Sequence, residues 1–336
     1  VRRPLISLLA RVAVVAPLLL LVGGPRSGIL LPVLPESITV ASVPVTLHTD
    51  APDRTRAGQL TLLGGWKLDA PRSRQFGGWS ALRVEGDRFT VIGDYGSVLR
   101  FRLTPFGRAV DARIDPLPDG CGRQDDKRMR DSESLAPALG GWWIGYEVDN
   151  RLCRVTTDFT RATALRRPPE MTAWREKYGA EALLRLADGR YLAFAERGPT
   201  DDALRPLLIF SGNPADPRTT VTPRTYVPPP GFSPTDATQL PDGRILVLNR
   251  RFGFATLFTS TLVAIDSKSL DRDAPVTGTI IARLAPPTLH DNFEGLDVSV
   301  ENGRPIIWMI SDGNFMSWQS NYLLKFALDP PRGATP

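Results

Sequence analysis

Five times along the chain, a short apolar run lies between side chains that can bind a cation or move a proton. "DSESLAPALGGWWIGYE" (131–147) carries Glu133 near its start and Glu147 at its end. "AEALLRLADGRYLAFAE" (180–196) carries Glu181 and Glu196, and "NFEGLDVSVENGRPIIWMISDGN" (292–314) carries Glu294 and Asp312. "TDATQLPDGRILVLNR" (235–250) runs from Asp236 to Asn249, and "GWSALRVEGDRFTVIGD" (78–94) from Ser80 to Asp94. Repeated carboxylates suit hard cations, which take six to eight oxygen ligands, so Ca²⁺ fits better than zinc. The candidate metal ligands are Asp94, Glu133, Glu147, Glu181, Glu196, Asp236 and Asp312. Glu294 is the candidate catalytic carboxylate, and His290 in "TLHDNFEG" is the other candidate catalytic group. Only two histidines exist, His48 and His290, so a mechanism centred on histidine would have to use His290.

Cations stand beside these acids. Lys127 and Arg130 lie in "GRQDDKRMRDSE", Arg197 follows Glu196, and Arg250 and Arg251 lie in "NRRF". These five are candidate substrate-binding residues for an anionic group, with neutralisation of the neighbouring acids as the alternative role. No G-x-S-x-G elbow, H-E-x-x-H motif, phosphate loop or dinucleotide fingerprint is present. The remaining chemistry is electrostatic: a metal, arginines and a carboxylate base. In the blander reading, each acid only bonds turn amides or pairs with an arginine, and a repeat protein copies it from unit to unit.

The leading positions Ser80, Glu133, Glu181, Asp236 and Glu294 are separated by 53, 48, 55 and 58 residues. Such a period, with four strand-like runs per unit, points to an all-β propeller of five four-stranded blades. The fifth unit is one strand short, and "QLTLLGGWKLD" (59–69) can supply it, so that an N-terminal strand closes the ring. A sixth blade built from residues 37–69 is the alternative. The start of "PPEMTAWREKYGAEALL" (168–184) reads as a short helical insertion. The first strand of a propeller blade lines the central channel and the second returns antiparallel to it. The residue before strand one and the residue after strand two therefore meet at one mouth.

Gly 29 and Pro 31, with 42% apolar and 23% charged residues, fit a turn-rich β domain with a full core. The net charge of +5 is spread in ones and twos, without the dense basic run that nucleic acid requires. Residues 1–36 read as a signal peptide or N-terminal anchor, residues 37–330 as one domain, and 331–336 as a disordered tail. These features imply a periplasmic or secreted monomer, held to a membrane only where the anchor stays uncleaved. In an oxidising compartment, Cys121 and Cys153 are candidates for a disulfide.

"GGWSAL", "DSESLA", "EALLRLADGRYLAFAE", "DATQLPDGRILVLNR", "NFEGLDV" and "SDGNF" together resemble the bacterial phytase-like family described as having esterase-like activity. The resemblance spans about residues 60 to 328. It implies an exported propeller that hydrolyses a small phosphoric or carboxylic ester, with Ca²⁺ by analogy with propeller phytases. It also implies that Glu133, Glu181, Asp236 and Glu294 are the family's lead positions, from which Ser80 departs. Two alternatives accompany this reading. One is a non-catalytic periplasmic binding propeller, which exposed Trp142, Trp143, Trp308 and Trp318 would favour, and the other is a Ca²⁺-dependent lactonase.

Overall fold

The computed structural model describes residues 32–330 except 124, 176–177 and 199–202. Most of the expected signal segment and the whole C-terminal tail lie outside the described residues. No helix among the described residues is long and apolar enough to cross a membrane.

Five antiparallel sheets form a five-bladed β-propeller. Blade one is built from Trp79–Glu85, Arg88–Gly93, Ser97–Leu103 and Ala109–Pro116. Blade two is Ser132–Ala138, Gly141–Tyr146, Arg151–Thr156 and Ala162–Arg166, and blade three is Ala180–Arg185, Tyr191–Ala195, Arg205–Phe210 and Val221–Tyr226. Blade four is Ser233–Gln239, Ile245–Gly253, Leu257–Ile265 and Thr279–Leu284. Blade five takes three strands from the C-terminal part, Phe293–Glu301, Arg304–Ser311 and Asn321–Leu328. The first strands of the five blades pack side by side around the ring.

The second strand of blade two, "GWWIGY", reads as an unbroken apolar run because it is buried on both faces. In blade two, Ile144 and Cys153 pack against blade one, whereas Trp143 and Leu152, on the opposite face of the sheet, pack against blade three. Tight turns separate first from second strands. In blade five Asn302 and Gly303 both have positive φ, 51° and 75°, as a two-residue hairpin of the primed type requires.

The ring closes as the sequence implied. Leu60–Asp69 pairs with Asn321–Leu328, from Leu60 opposite Leu328 to Leu68 opposite Asn321. No sixth blade forms, because the other N-terminal strands extend existing sheets. Ala41–Pro44 and Arg56–Ala57 pair with the closing strand, and Glu36–Ser37 adds an outer edge to blade one.

One further expectation is narrowed and one is corrected. The helical start of the 168–184 segment is, among the described residues, the single 3₁₀ turn Pro169–Met171, before the strand Ala180–Arg185. Burial explains the outcome: Met171 and Trp174 insert between blades two and three, so tertiary packing sets the path. Of the four tryptophans expected to be exposed, Trp142, Trp143 and Trp308 are buried in blade contacts, and Trp318 alone is exposed, at 39%. Cys121 and Cys153 form a disulfide that ties the connection between blades one and two to the third strand of blade two.

Candidate functional site

The first strand of every blade contains a β-bulge near its start. In blade two Ser132 pairs with Tyr146 and Ser134 with Gly145, so Glu133 has no partner of its own. The same two-against-one count leaves out Ser80, Glu181, Thr235 and Glu294 in the other blades. A bulge disrupts the ladder locally and re-aims the extra side chain. Backbone bonds then bring in the residue after the second strand: Asp94 N–H donates to Gly78, Glu147 to Asp131 and Asp312 to Asn292, at 2.8, 2.9 and 2.8 Å. Gly78 must be glycine here, since its φ is +68° and a Cβ would run into the Asp94 carboxylate.

These paired positions converge on a cavity of about 170 Å³ at one mouth of the channel. Seven carboxylates line it, from Asp94, Glu133, Glu147, Glu181, Glu196, Glu294 and Asp312, with Arg250 as the one basic side chain in the lining. Arg250 pairs with Glu294 and lies 3.4 Å from Glu196, and it donates to Asn292 Oδ1 at 2.8 Å. On the other side, Lys127 Nζ lies 2.8 Å from Asp131 and 3.4 Å from Asp94. Ligand atoms of Asp131, Glu133 and Glu147 all lie within 4.8 Å of one another. Asp312 is fixed by the amides of Gly78 and Asn314, at 2.8 and 2.9 Å. Asn314 and Phe315 both hold left-handed φ values, 47° and 54°, a costly backbone of the kind found at functional sites.

The electrostatics follow from this crowding. At 4.8 Å, two like charges repel by roughly 3 kcal/mol at an effective dielectric of about 20. Burial, reinforced by Asp312 and Asp131 and opposed by Lys127, pushes Asp94 up to about 8. Burial with Asp312 and Glu196 pushes Glu294 up to about 8 against the pull of Arg250. Glu147 rises to about 7 through burial and the charges of Asp131 and Glu196, and it shares a hydrogen bond with Glu181. Glu133 and Glu181 are both held well above the usual carboxylate range by burial and by acidic neighbours. Asp312 reaches about 6, since burial is partly offset by backbone amides. Without a cation, the mouth therefore holds protons at neutral pH.

Residues 74–315, well over half of the chain, match the phytase-like family described as "esterase-like activity of phytase". This chain belongs to that family. Among solved structures, the glutaminyl cyclase of Myxococcus xanthus is 11% identical over 82% of this chain and 100% of its own, with a TM-score of 0.48. The Pan2 WD40 domain of Neurospora crassa is 9% identical over 82% of this chain and 97% of its own, with a TM-score of 0.39. No curated protein sequence matches the chain.

The phytase-like mouth gathers most of the expected acids, with one exception. Asp236 lies one position past the bulge, fully buried beneath the mouth, where it pairs with Arg83 at 3.1 Å and accepts from the amides of Leu296 and Ala237. Thr235 holds the lead position of blade four instead. Sequence alternation alone does not reveal a bulge, and it points one residue away from the true lead position.

The cations divide in the same way. Lys127 and Arg250 reach the mouth acids. Arg130 is 2% exposed and donates to the carbonyls of Gly96 and Leu117, so it serves the junction of blades one and two. Arg197 and Arg251 do not line the cavity and lie over the rings of Tyr178 and Phe232, at 5.0 and 4.9 Å. His290 is outside the lining as well, with Nδ1 held 2.7 Å from the Thr288 carbonyl by its own loop. Asp131 was missed, although "DSE" places it two residues before Glu133, within reach of the same site.

Proposed function

We propose that this phytase-like propeller is an exported hydrolase of phosphoric or carboxylic esters, working with a divalent cation, Ca²⁺, at its acidic mouth. The observation that carries the reading is the convergence of seven carboxylates and Arg250 on one cavity of about 170 Å³. The donor set fits a hard cation, being all oxygen and strongly anionic. The buried Asp94 Oδ1 has no hydrogen-bond partner among the described residues, and Asp131, Glu133 and Glu147 lie close enough together to share one ion. These four acids are the candidate ligands. When bound, a cation would supply neutralisation of the mouth and polarisation of the ester oxygen.

The rest of the chemistry falls to the chain itself. Glu294, paired with Arg250, is the candidate proton-transfer group. Pushed up to about 8, it keeps a proton at neutral pH that can pass to the alkoxide displaced when water attacks the ester carbon or phosphorus. Neutralising its acidic neighbours lowers that value, since Asp312 and Glu196 help burial to raise it, and eases the return of the proton. Lactones are cyclic carboxylic esters and fall within the same chemistry. The Cys121–Cys153 disulfide supports export, since such bonds persist in oxidising compartments.

The test uses purified protein stripped with EDTA and reloaded with Ca²⁺, assayed on p-nitrophenyl acetate and p-nitrophenyl phosphate. At least one ester should turn over only when Ca²⁺ is present, and Glu294→Gln should lower kcat by about 100-fold or more while melting as a folded protein. Loaded wild type that turns over neither ester, or a fully active Glu294→Gln, would overturn the proposal.

A further inference from the structure

The second and third strands of blade four run on past the body of the sheet as a hairpin, paired through Phe252 opposite Phe258 and Gly253 opposite Leu257. Arg250 and Phe252, two residues apart on one strand, share a face of this hairpin, and Phe258 lies opposite Phe252 on the same face. The face that sends Arg250 into the acidic cavity therefore continues outward as aromatic surface.

The rings form an unbroken series. Arg250 lies 5.6 Å from the Phe258 ring, Phe258 is 5.1 Å from Phe252, and Phe252 is 5.8 Å from Phe254. Trp318, next to the strained 314–315 turn, stacks on Phe258 at 6.4 Å with 5° between the planes. Phe252, Phe254 and Trp318 remain 48%, 81% and 39% exposed. Aromatic side chains left in water cost hydrophobic free energy, and a contiguous exposed group of them marks a contact surface. This group is joined through Arg250 to the Glu294 carboxylate, which identifies its occupant as another part of the molecule whose reacting end sits in the mouth.

We infer that this hairpin is a platform for a flat apolar group of the substrate, which makes the substrate a carboxylic ester bearing an aromatic group and not a phosphate polyanion. The inference rests on the hydrolase reading above and narrows it. The charges agree with it. The two cations at the mouth, Lys127 and Arg250, are already paired with mouth acids, and Arg130 is engaged elsewhere, so little positive charge is left to meet several phosphates. A flat ring on Phe252 and Phe254 needs none.

The experiment compares Ca²⁺-loaded wild type, Phe252→Ala/Phe254→Ala and Trp318→Ala on ethyl 2-naphthoate and ethyl acetate by pH-stat, with calorimetric titration of 2-naphthoate and acetate alongside. The kcat/KM ratio of naphthoate over acetate ester should fall about tenfold in the double variant, and 2-naphthoate should bind wild type about tenfold more tightly than the variant. An unchanged ratio with active enzyme would overturn the platform and leave the hydrolase reading standing. Tight 2-naphthoate binding that the double variant loses, in a wild type that hydrolyses neither ester, would remove the hydrolase reading and keep the aromatic-binding face. Equal weak binding by all three proteins would overturn the platform whatever the turnover.

Discussion

At the fourth blade, two neighbouring residues have different surroundings. Thr235 is the bulged residue, its hydroxyl bonded to the Phe293 carbonyl at 3.3 Å, while Asp236 turns inward to Arg83. Arg83 also donates to the carbonyls of Leu296 and Leu183, at 3.0 and 3.1 Å, so the pair plugs the channel below the mouth. Burial raises Asp236 to about 6 against the attraction of Arg83, and it remains ionised at neutral pH. Removing one partner of such a pair strands a buried charge. Asp236→Ala should therefore cost about 3–5 kcal/mol in urea unfolding. It should leave the mouth's affinity for Ca²⁺ within about twofold, whereas Glu133→Gln should weaken that affinity about tenfold or more, as expected when one charged ligand is lost from an oxygen cage. If Asp236→Ala instead retained full stability and lost Ca²⁺ binding, Asp236 would be a ligand after all.

Elements explain both what the sequence revealed and what it hid. The hairpins and apolar runs marked all four strands of each blade, because turn residues such as Asn302-Gly303 and doubly buried runs such as "GWWIGY" have few other readings. Glu133, Glu147, Glu181, Glu196, Glu294 and Asp312 could be assigned to one mouth by antiparallel geometry alone. The bulge is hidden, since it adds a residue without altering composition, so alternation points to Asp236 where Thr235 holds the lead position. The "PPEM" start signalled a helical turn, which the structure has as the 3₁₀ turn Pro169–Met171, and the burial of Met171 and Trp174 between blades sets the path after it. The loop from 117 to 131, which delivers Lys127 and Asp131, is anchored by the Cys121–Cys153 disulfide. Closing a loop with a sequence separation of 32 stabilises by about 3 to 4 kcal/mol in the chain-entropy description. Cys121→Ala/Cys153→Ala should lose about that much in chemical denaturation and should also bind Ca²⁺ more weakly. Unaltered stability would show that the blade contacts alone hold the loop.

At the scale of the whole molecule, the ring gathers like charges that no single blade would bring together. The closing strand Leu60–Asp69 makes this geometry durable, since N-terminal and C-terminal segments share one sheet and the mouth cannot open blade by blade. The consequence is a distinctive pH dependence. Asp94 and Glu294 at about 8, Glu147 at about 7 and Asp312 at about 6 all lie above their unfolded values near 4. Raised carboxyls favour folding fully below the unfolded value, and that contribution is lost as pH climbs through the folded values. In EDTA, the melting temperature should therefore fall between pH 5 and pH 9, most steeply from about 5 to 6, where all four carboxyls are protonated only in the folded state, and level off above about 8. A melting temperature that rose across this range would show that the mouth acids are already neutralised within the protein.

The most direct test of the acidic mouth as a cation site is calorimetric titration of Ca²⁺ into EDTA-stripped protein at pH 7.5, in two buffers of different ionisation enthalpy, with melting curves on the same samples. Saturable binding should release protons, because carboxyls held protonated by their neighbours ionise as the cation arrives. The melting temperature should rise by several degrees, and Glu133→Gln/Glu147→Gln should lose both effects. No binding heat, no proton release and an unmoved melting temperature would contradict the account and leave the carboxylates as a protonated cluster shared among the blades.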